Sequence, residues 1–186
     1  MSTMTLLTLE EFLTLPDDGI ERELIRGELQ EKGMTVRNRF HSQAVINVGY
    51  LLKAYTLAHP RCGFRVLGGE AGFILGREPL TTVGIDVAVV SEETLRSHSP
   101  KTTLVEGIPV LVVEVLSPSD TQEDIHDKTD LYLEYGVPLV WLVDTEKKTV
   151  KVCRPGRQPE LFNLDQELNA EPVLPGFRTP VGAIFD

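Results

Sequence analysis

The chain has 186 residues, 41% hydrophobic and 25% charged, which is the composition of one soluble globular domain rather than of a disordered chain. No apolar run approaches the ~18 residues that span a bilayer, and the opening MSTMTLLTLEEF lacks the basic and apolar segments of a secretory signal. With only two cysteines, Cys62 and Cys153, neither a disulfide framework nor a zinc cluster is expected, and the cytoplasm is the expected compartment. The formal net charge of -10 argues against a nonspecific nucleic-acid coat protein, but the charge is segregated along the chain. Arg37 to Gly69 contains no acid, whereas Glu114 to Glu134 holds seven acids and a single base, Lys128.

In chain order, Thr8 and Glu11 stand at capping-box spacing ahead of a short helix that Pro16-Asp-Asp-Gly19 ends. Ile20 to Lys32 alternates charge with Leu and Ile around Arg26-Gly27, which predicts a hairpin. From Asn38 to Ala58 the residues Phe40, Ala44, Val48, Leu51, Leu52 and Tyr55 recur at helical spacing, and His59-Pro60 stops the helix. Three strands follow at Gly63–Leu67, Gly72–Leu75 and Val83–Val90, and Pro109–Leu116 is a fourth, apolar enough to be covered on both faces. A helix capped by Ser119 and Gln122 runs to about Gly136. Pro138–Asp144 and Thr149–Arg154 form a last strand pair, and a short edge strand falls near Glu160–Asn163. No repeat or linker interrupts residues 1–186, so a single α/β domain is expected.

Two acids sit where charge is expensive. Asp86 lies within Val83-Gly-Ile-Asp-Val-Ala-Val-Val90 and Glu114 within Val110-Leu-Val-Val-Glu-Val-Leu116. An unpaired carboxylate inside an apolar strand costs several kcal/mol, so each must be hydrogen-bonded, paired or bound to a metal. Period-two alternation puts Val110, Val112, Glu114 and Leu116 on one face of their strand. Lys128, on the helix that follows, pairs either with Asp124 along its own helical stripe or with Glu114 once the helix folds over the sheet. Arg37, Arg39 and His41 head the first long helix, where basic side chains and a helix N-terminus suit phosphate contact; a plain solvated helix face is the competing reading.

The motifs Arg22-Glu-Leu-Ile-Arg-Gly-Glu28, His41-Ser-Gln, Gly84-Ile-Asp-Val-Ala-Val-Val90 and Val112-Val-Glu-Val-Leu-Ser-Pro-Ser119 are followed by Asp124, Lys128, Tyr132, Gly136-Val137 and Trp141-Leu-Val-Asp144. In that order they resemble the bacterial restriction-endonuclease-like family of the PD-(D/E)XK nuclease superfamily. The resemblance implies a restriction-endonuclease-like core, a mixed central β-sheet flanked by helices in the order αβββαβ. It implies that Asp86 matches the Asp of the PD element and Glu114 the first acid of (D/E)XK. Leu116 stands where the superfamily lysine would be, and Lys128 takes that part from the helix; Ile85 replaces the proline, and Glu23 matches an early acid of the site.

The implied activity is that of a DNA endonuclease with catalytic Glu23, Asp86, Glu114 and Lys128. Asp86 and Glu114 would hold Mg²⁺, for which Mn²⁺ can substitute, and a homodimer would cut both strands. A noncatalytic descendant that binds nucleic acid or a protein partner is the alternative. Leu116 and the acidic net charge favour that alternative, while the joint presence of the four charged residues favours the enzyme. No G-x-S-x-G elbow or phosphate-binding glycine loop points to another hydrolase.

Overall fold

The computed structural model describes residues 6–16, 18–33, 38–96 and 102–186. Helix α1 (Leu9–Leu13) opens on the expected capping box: Thr8 Oγ1 accepts the Glu11 amide at 3.3 Å, and Glu11 accepts the Thr8 amide at 2.8 Å. The charged segment that follows is an antiparallel hairpin of β1 (Ile20–Ile25) and β2 (Glu28–Gly33). Its two turn residues, Arg26 and Gly27, have φ of 53° and 85°, the paired positive values that a tight hairpin turn demands. Helix α2 (Arg39–Ala58) starts at Asn38, whose side chain accepts the His41 amide at 2.9 Å.

The first two expected strands prove to be one, β3 (Phe64–Arg77). A bulge between Gly68 and Ala71, with Gly69 and Glu70 both at positive φ, bends the strand without ending it. β4 (Leu80–Ser91) pairs back along it, and the short α3 (Glu92–Arg96) and β5 (Val105–Glu106), neither foreseen, lead to β6 (Leu111–Leu116). Helix α4 (Gln122–Glu134) then carries the chain to β7 (Val140–Asp144), parallel to β6, and β8 (Thr149–Cys153) and β9 (Glu160–Phe162) extend the sheet. β10 (Glu167–Asn169), β11 (Arg178–Pro180) and a 3-10 turn at Val181–Ile184 complete the chain. The succession α2-β3-β4-β6-α4-β7 is the αβββαβ core anticipated from the sequence.

Side-chain alternation sends one set of residues to each face of the sheet, slipping once along β4 between Ile85 and Val87, opposite the β3 bulge. Val87, Val89, Leu111, Val113, Val115, Trp141 and Val143 pack with Ala44, Val48 and Leu52 of α2 and with the C-terminal Leu168, Leu174, Phe177 and Ile184. Ile85, Ala88, Val90, Val112, Val140 and Leu142 face the other way, under Leu131 and Tyr132 of α4. A sheet covered on both faces explains the near-continuous apolar runs in the sequence.

The edges of β4 decide where polar groups can enter this core. β3 occupies one edge from Phe64↔Ser91 to Arg77↔Leu80. Two neighbours therefore share the other: β1 at Leu24↔Thr82, and β6 from Val87↔Val113 to Val89↔Leu111. Between them, over residues 83–86, the ladder on that edge is interrupted.

The cap of α4 also differs from the expectation. Thr121 Oγ1 accepts the Asp124 amide at 3.1 Å and Asp124 accepts the Thr121 amide at 3.1 Å, while the Ser119 hydroxyl bonds Ser117 at 2.7 Å. The shift by two residues follows from the turn before it, where Asp120 accepts the Ser117 amide at 2.7 Å and keeps residues 117–120 out of the helix. Thr121→Ala is expected to cost about 1 kcal/mol in urea unfolding, a typical loss of an N-cap, and Ser119→Ala less than about 0.5 kcal/mol. Equal effects would contradict the observed cap.

Candidate active site

The interrupted edge of β4 is where the charged side chains meet. Gly84 directs its amide and carbonyl into the gap, and side chains serve both: Glu23 Oε1, from β1, accepts the Gly84 amide at 2.8 Å, and Lys128 Nζ, from α4, donates to the Gly84 carbonyl at 3.3 Å. Lys128 Nζ also lies 3.2 Å from Glu114 Oε1 and 3.5 Å from Glu23 Oε1. Of the two partners left open for Lys128, the structure selects Glu114. Asp124 is occupied as the capping acid of α4.

Asp86, 5% exposed, follows Gly84 on the same edge. The β4–β6 ladder ends one step before Asp86 would face Glu114, and the Asp86 side chain replaces it: Oδ2 accepts the Val115 amide at 2.8 Å. His41 Nε2 stands 3.5 Å from the same oxygen, too far for a hydrogen bond. Glu114 receives a short hydrogen bond from the Tyr132 hydroxyl, one turn beyond Lys128 on the same stripe of α4. Glu23, Asp86, Glu114, Lys128 and Tyr132 line one cleft of about 550 Å³.

The two central acids are pushed in opposite directions. Burial dominates at Glu114, and with the negative charges of Asp86 and Glu23 it raises the carboxyl from 4.5 to about 7 against the opposing pull of Lys128 and Tyr132. At Asp86 burial also acts upward, but His41, the Val115 amide and Lys128 outweigh it and hold the pKa below the usual value. Burial likewise works against the Lys128 ammonium, yet Glu114, Tyr132 and Glu23 keep its pKa well above that of a free lysine. The site therefore presents one ionised aspartate, one glutamate near its titration midpoint at neutral pH and one firmly charged amine.

Tyr132, Gly84 and Glu70 belong to the cleft but not to the residues singled out for chemistry from the sequence. From the sequence Tyr132 is a helix residue four positions beyond Lys128 and part of the family resemblance, with no chemical role assigned to it. Glu70 rides on the β3 bulge, and a Cβ at residue 84 would stand 3.2 Å from its Oε2 and 3.9 Å from Glu23 Oε1. Glycine at 84 thus leaves room for two carboxylates. The expected nucleic-acid contacts divide: Arg37 lies outside the described residues, Arg39 is exposed with its guanidinium 4.6 Å from the Phe40 ring centroid, and His41 is buried at 4% exposure against Asp86. His41 is therefore not on the solvent face.

A family model described as "Uma2: Putative restriction endonuclease" matches residues 9–182. The chain belongs to the Uma2 family. Among solved structures it is similar to a protein from Anabaena variabilis ATCC 29413, named as a putative nuclease belonging to DUF820. The TM-score is 0.77 at 22% identity, over 96% of this chain and 97% of that one, a likeness of fold. No curated protein matches the sequence. A nuclease-like, restriction-endonuclease-type fold is thus common to this Uma2 chain and its solved neighbour, and among the described residues no helix is long and apolar enough to cross a membrane.

The oxygen donors of Asp86 and Glu114 suit a hard divalent cation, and two carboxylates are what such an ion takes when it keeps most of its waters. Burial lifts Glu114 most, and the negative charges of Asp86 and Glu23 that add to it are charge such an ion would neutralise. Among the described residues no three or more His, Cys, Asp or Glu side chains are grouped so as to hold a metal ion, so any such ion would rest on these two carboxylates with water and backbone oxygens.

The raised Glu114 pKa has a consequence for folding. Relative to the unfolded chain, the folded state holds the Glu114 proton more tightly, so this stabilisation is complete below about pH 4.5 and is lost as pH rises through about 7. The difference of 7 - 4.5, at about 1.4 kcal/mol per unit, sets an upper limit of about 3 kcal/mol. Glu114→Gln keeps an acceptor for Tyr132 and cannot ionise. Its unfolding free energy is expected to gain on the wild type, by up to that amount, between pH 4.5 and pH 8. A constant difference across that range would contradict the shift.

Proposed function

We propose that this Uma2 protein is a metal-dependent endonuclease that hydrolyses DNA phosphodiester bonds, with Glu23, Asp86, Glu114 and Lys128 as its catalytic set. The observation that carries this reading is the convergence of the four side chains, from β1, β4, β6 and α4, on the interrupted edge of one strand. A scaffold would close such an edge with backbone hydrogen bonds at lower electrostatic cost. Asp86 and Glu114, with the Val115 carbonyl, would hold Mg²⁺ or Mn²⁺. The ion, when bound, supplies acidification of a water and charge neutralisation at the scissile phosphate.

The chain's own groups account for the remaining work. Lys128 is held as an ammonium by its carboxylate neighbours, so it acts by orienting the attacking water and offsetting negative charge at the phosphate, not by taking a proton. Glu23 fixes Lys128 and the Gly84 amide together and stands ready as a further oxygen donor. Tyr132, whose own hydroxyl is kept protonated by burial and by Glu114, donates to Glu114 and sets the plane of its carboxylate. Arg39, at the N-terminal end of α2, and Arg37, two positions before it in the sequence, would contact the DNA backbone, and a homodimer would bring two such sites to the two strands.

Titration calorimetry with Mn²⁺ tests the metal, and nicking of supercoiled plasmid tests the reaction. Wild type is expected to bind Mn²⁺ at millimolar concentration or tighter and to release protons near pH 6.5, since Glu114 must ionise to serve as a ligand. Asp86→Ala should weaken that binding by about tenfold or more. Lys128→Ala should leave Mn²⁺ affinity within about threefold yet lower the nicking rate by about 10²–10³. A wild type that binds no Mn²⁺ at millimolar concentration would sink the enzyme and leave the noncatalytic, nucleic-acid- or protein-binding descendant.

A further inference from the structure

We propose that His41 is a positioning residue for Asp86, holding it from the α2 side of the sheet so that its other carboxylate oxygen is the one offered to the cleft. The inference rests on the metal-dependent reading above and deepens it. The inward stripe of α2 consists of His41, Ala44, Val48, Leu52 and Thr56, and its three middle members are apolar and pack on the sheet. His41 heads that stripe with a side chain 5% exposed, and its Nε2 is buried with no hydrogen-bond partner. A buried ring nitrogen that lacks a full hydrogen bond costs about 1–3 kcal/mol. Leucine or methionine at 41 would continue the apolar stripe without that cost, so packing alone gives no reason for histidine.

The neighbour that does give a reason is Asp86. Nε2 stands 3.5 Å from its Oδ2, the oxygen that also accepts the Val115 amide at 2.8 Å. Two contacts on one oxygen fix the rotation of the carboxylate and commit Oδ2 to the protein, which leaves Oδ1 for a ligand. His41 does not line the cleft, so it reaches the site only through Asp86. The interruption of the ladder over residues 83–86 makes this possible, because it lets a side chain on one face of the sheet meet a carboxylate used on the other. Ligand-orienting partners of this kind typically change metal affinity by about 10–100-fold when removed.

The test compares His41→Leu and His41→Gln with wild type at one fixed pH, by Mn²⁺ calorimetry and by urea unfolding. Leucine fits the apolar stripe, so the variant is expected to unfold at the wild-type midpoint or above it, while its Mn²⁺ dissociation constant rises about 10–100-fold. Glutamine presents an Nε2 donor at nearly the same reach and should restore the affinity to within about threefold of wild type. A folded His41→Leu protein with Mn²⁺ affinity within twofold of wild type would overturn the proposal. A double-mutant cycle on unfolding separates this failure from failure of the nuclease reading. His41→Leu and Asp86→Ala are expected to be non-additive by about tenfold in the unfolding constant, whether or not the protein binds metal. Additive effects would overturn the contact, whereas coupling in a wild type that binds no Mn²⁺ would uphold it and end only the nuclease reading.

Discussion

Everything in the cleft depends on the break in backbone pairing along one edge of β4. A central strand normally spends its amides and carbonyls on its neighbours, and a buried one left unserved costs several kcal/mol. Here β1 and β6 share the edge and neither reaches residues 83–86. Side chains complete the pairing instead: Glu23 takes the Gly84 amide, Lys128 serves the Gly84 carbonyl, and Asp86 takes the Val115 amide. The dependence runs both ways. The backbone is satisfied because charged groups are present, and those groups tolerate burial because the backbone gives them partners.

This arrangement also explains why two acids so close together titrate so differently. Asp86 accepts the Val115 amide and has the His41 ring and the Lys128 charge close by, and these favour its ionised form over the cost of burial. Glu114 has Tyr132 and a share of Lys128, but burial, reinforced by the charges of Asp86 and Glu23, outweighs them. Glu23, Asp86 and Glu114 converge around the Lys128 ammonium, a surplus of negative charge that protonation of Glu114 or an added cation relieves. The surplus is local. The -10 charge of the whole chain acts on it little, because charges more than about 8–10 Å apart in solvent are largely screened.

Most of the fold was legible because apolar runs and turn residues report directly on burial. The acids Asp86 and Glu114 were legible for the same reason reversed, as charges where the pattern forbids them. Local signals misled where two readings share one sequence. Gly68-Gly69-Glu70 has the composition of a turn between strands, but β3 keeps its pairing with β4 on both sides and absorbs the extra residues as a bulge. Ser119 and Gln122 have cap spacing, but the Asp120–Ser117 bond keeps Ser119 out of the helix and Thr121 caps it instead. On α2 the apolar positions support two neighbouring stripes. Phe40 belongs to neither buried row, being 54% exposed, whereas His41 points inward. Hydropathy alone ranks phenylalanine above histidine for the core, so the polar contact that reverses the order could not be read before Asp86 was in place.

The position of the lysine carries the last consequence. A lysine at 116 would be fixed by the sheet itself, two residues along the strand from Glu114. Lys128 reaches Glu114 from another element, so the 3.2 Å contact holds only while α4 stays docked on the sheet. The helix provides for this within one turn. Tyr132, four residues beyond Lys128, is fully buried and donates to the same Glu114 oxygen, and Leu131 packs beside it into the core under α4. Leu116, relieved of any polar duty, packs against that same cluster. Moving the cation from strand to helix therefore exchanges one charged position in the sheet for a second hydrogen bond to the buried acid. It also links the charge state of the site to the packing of α4 on the sheet.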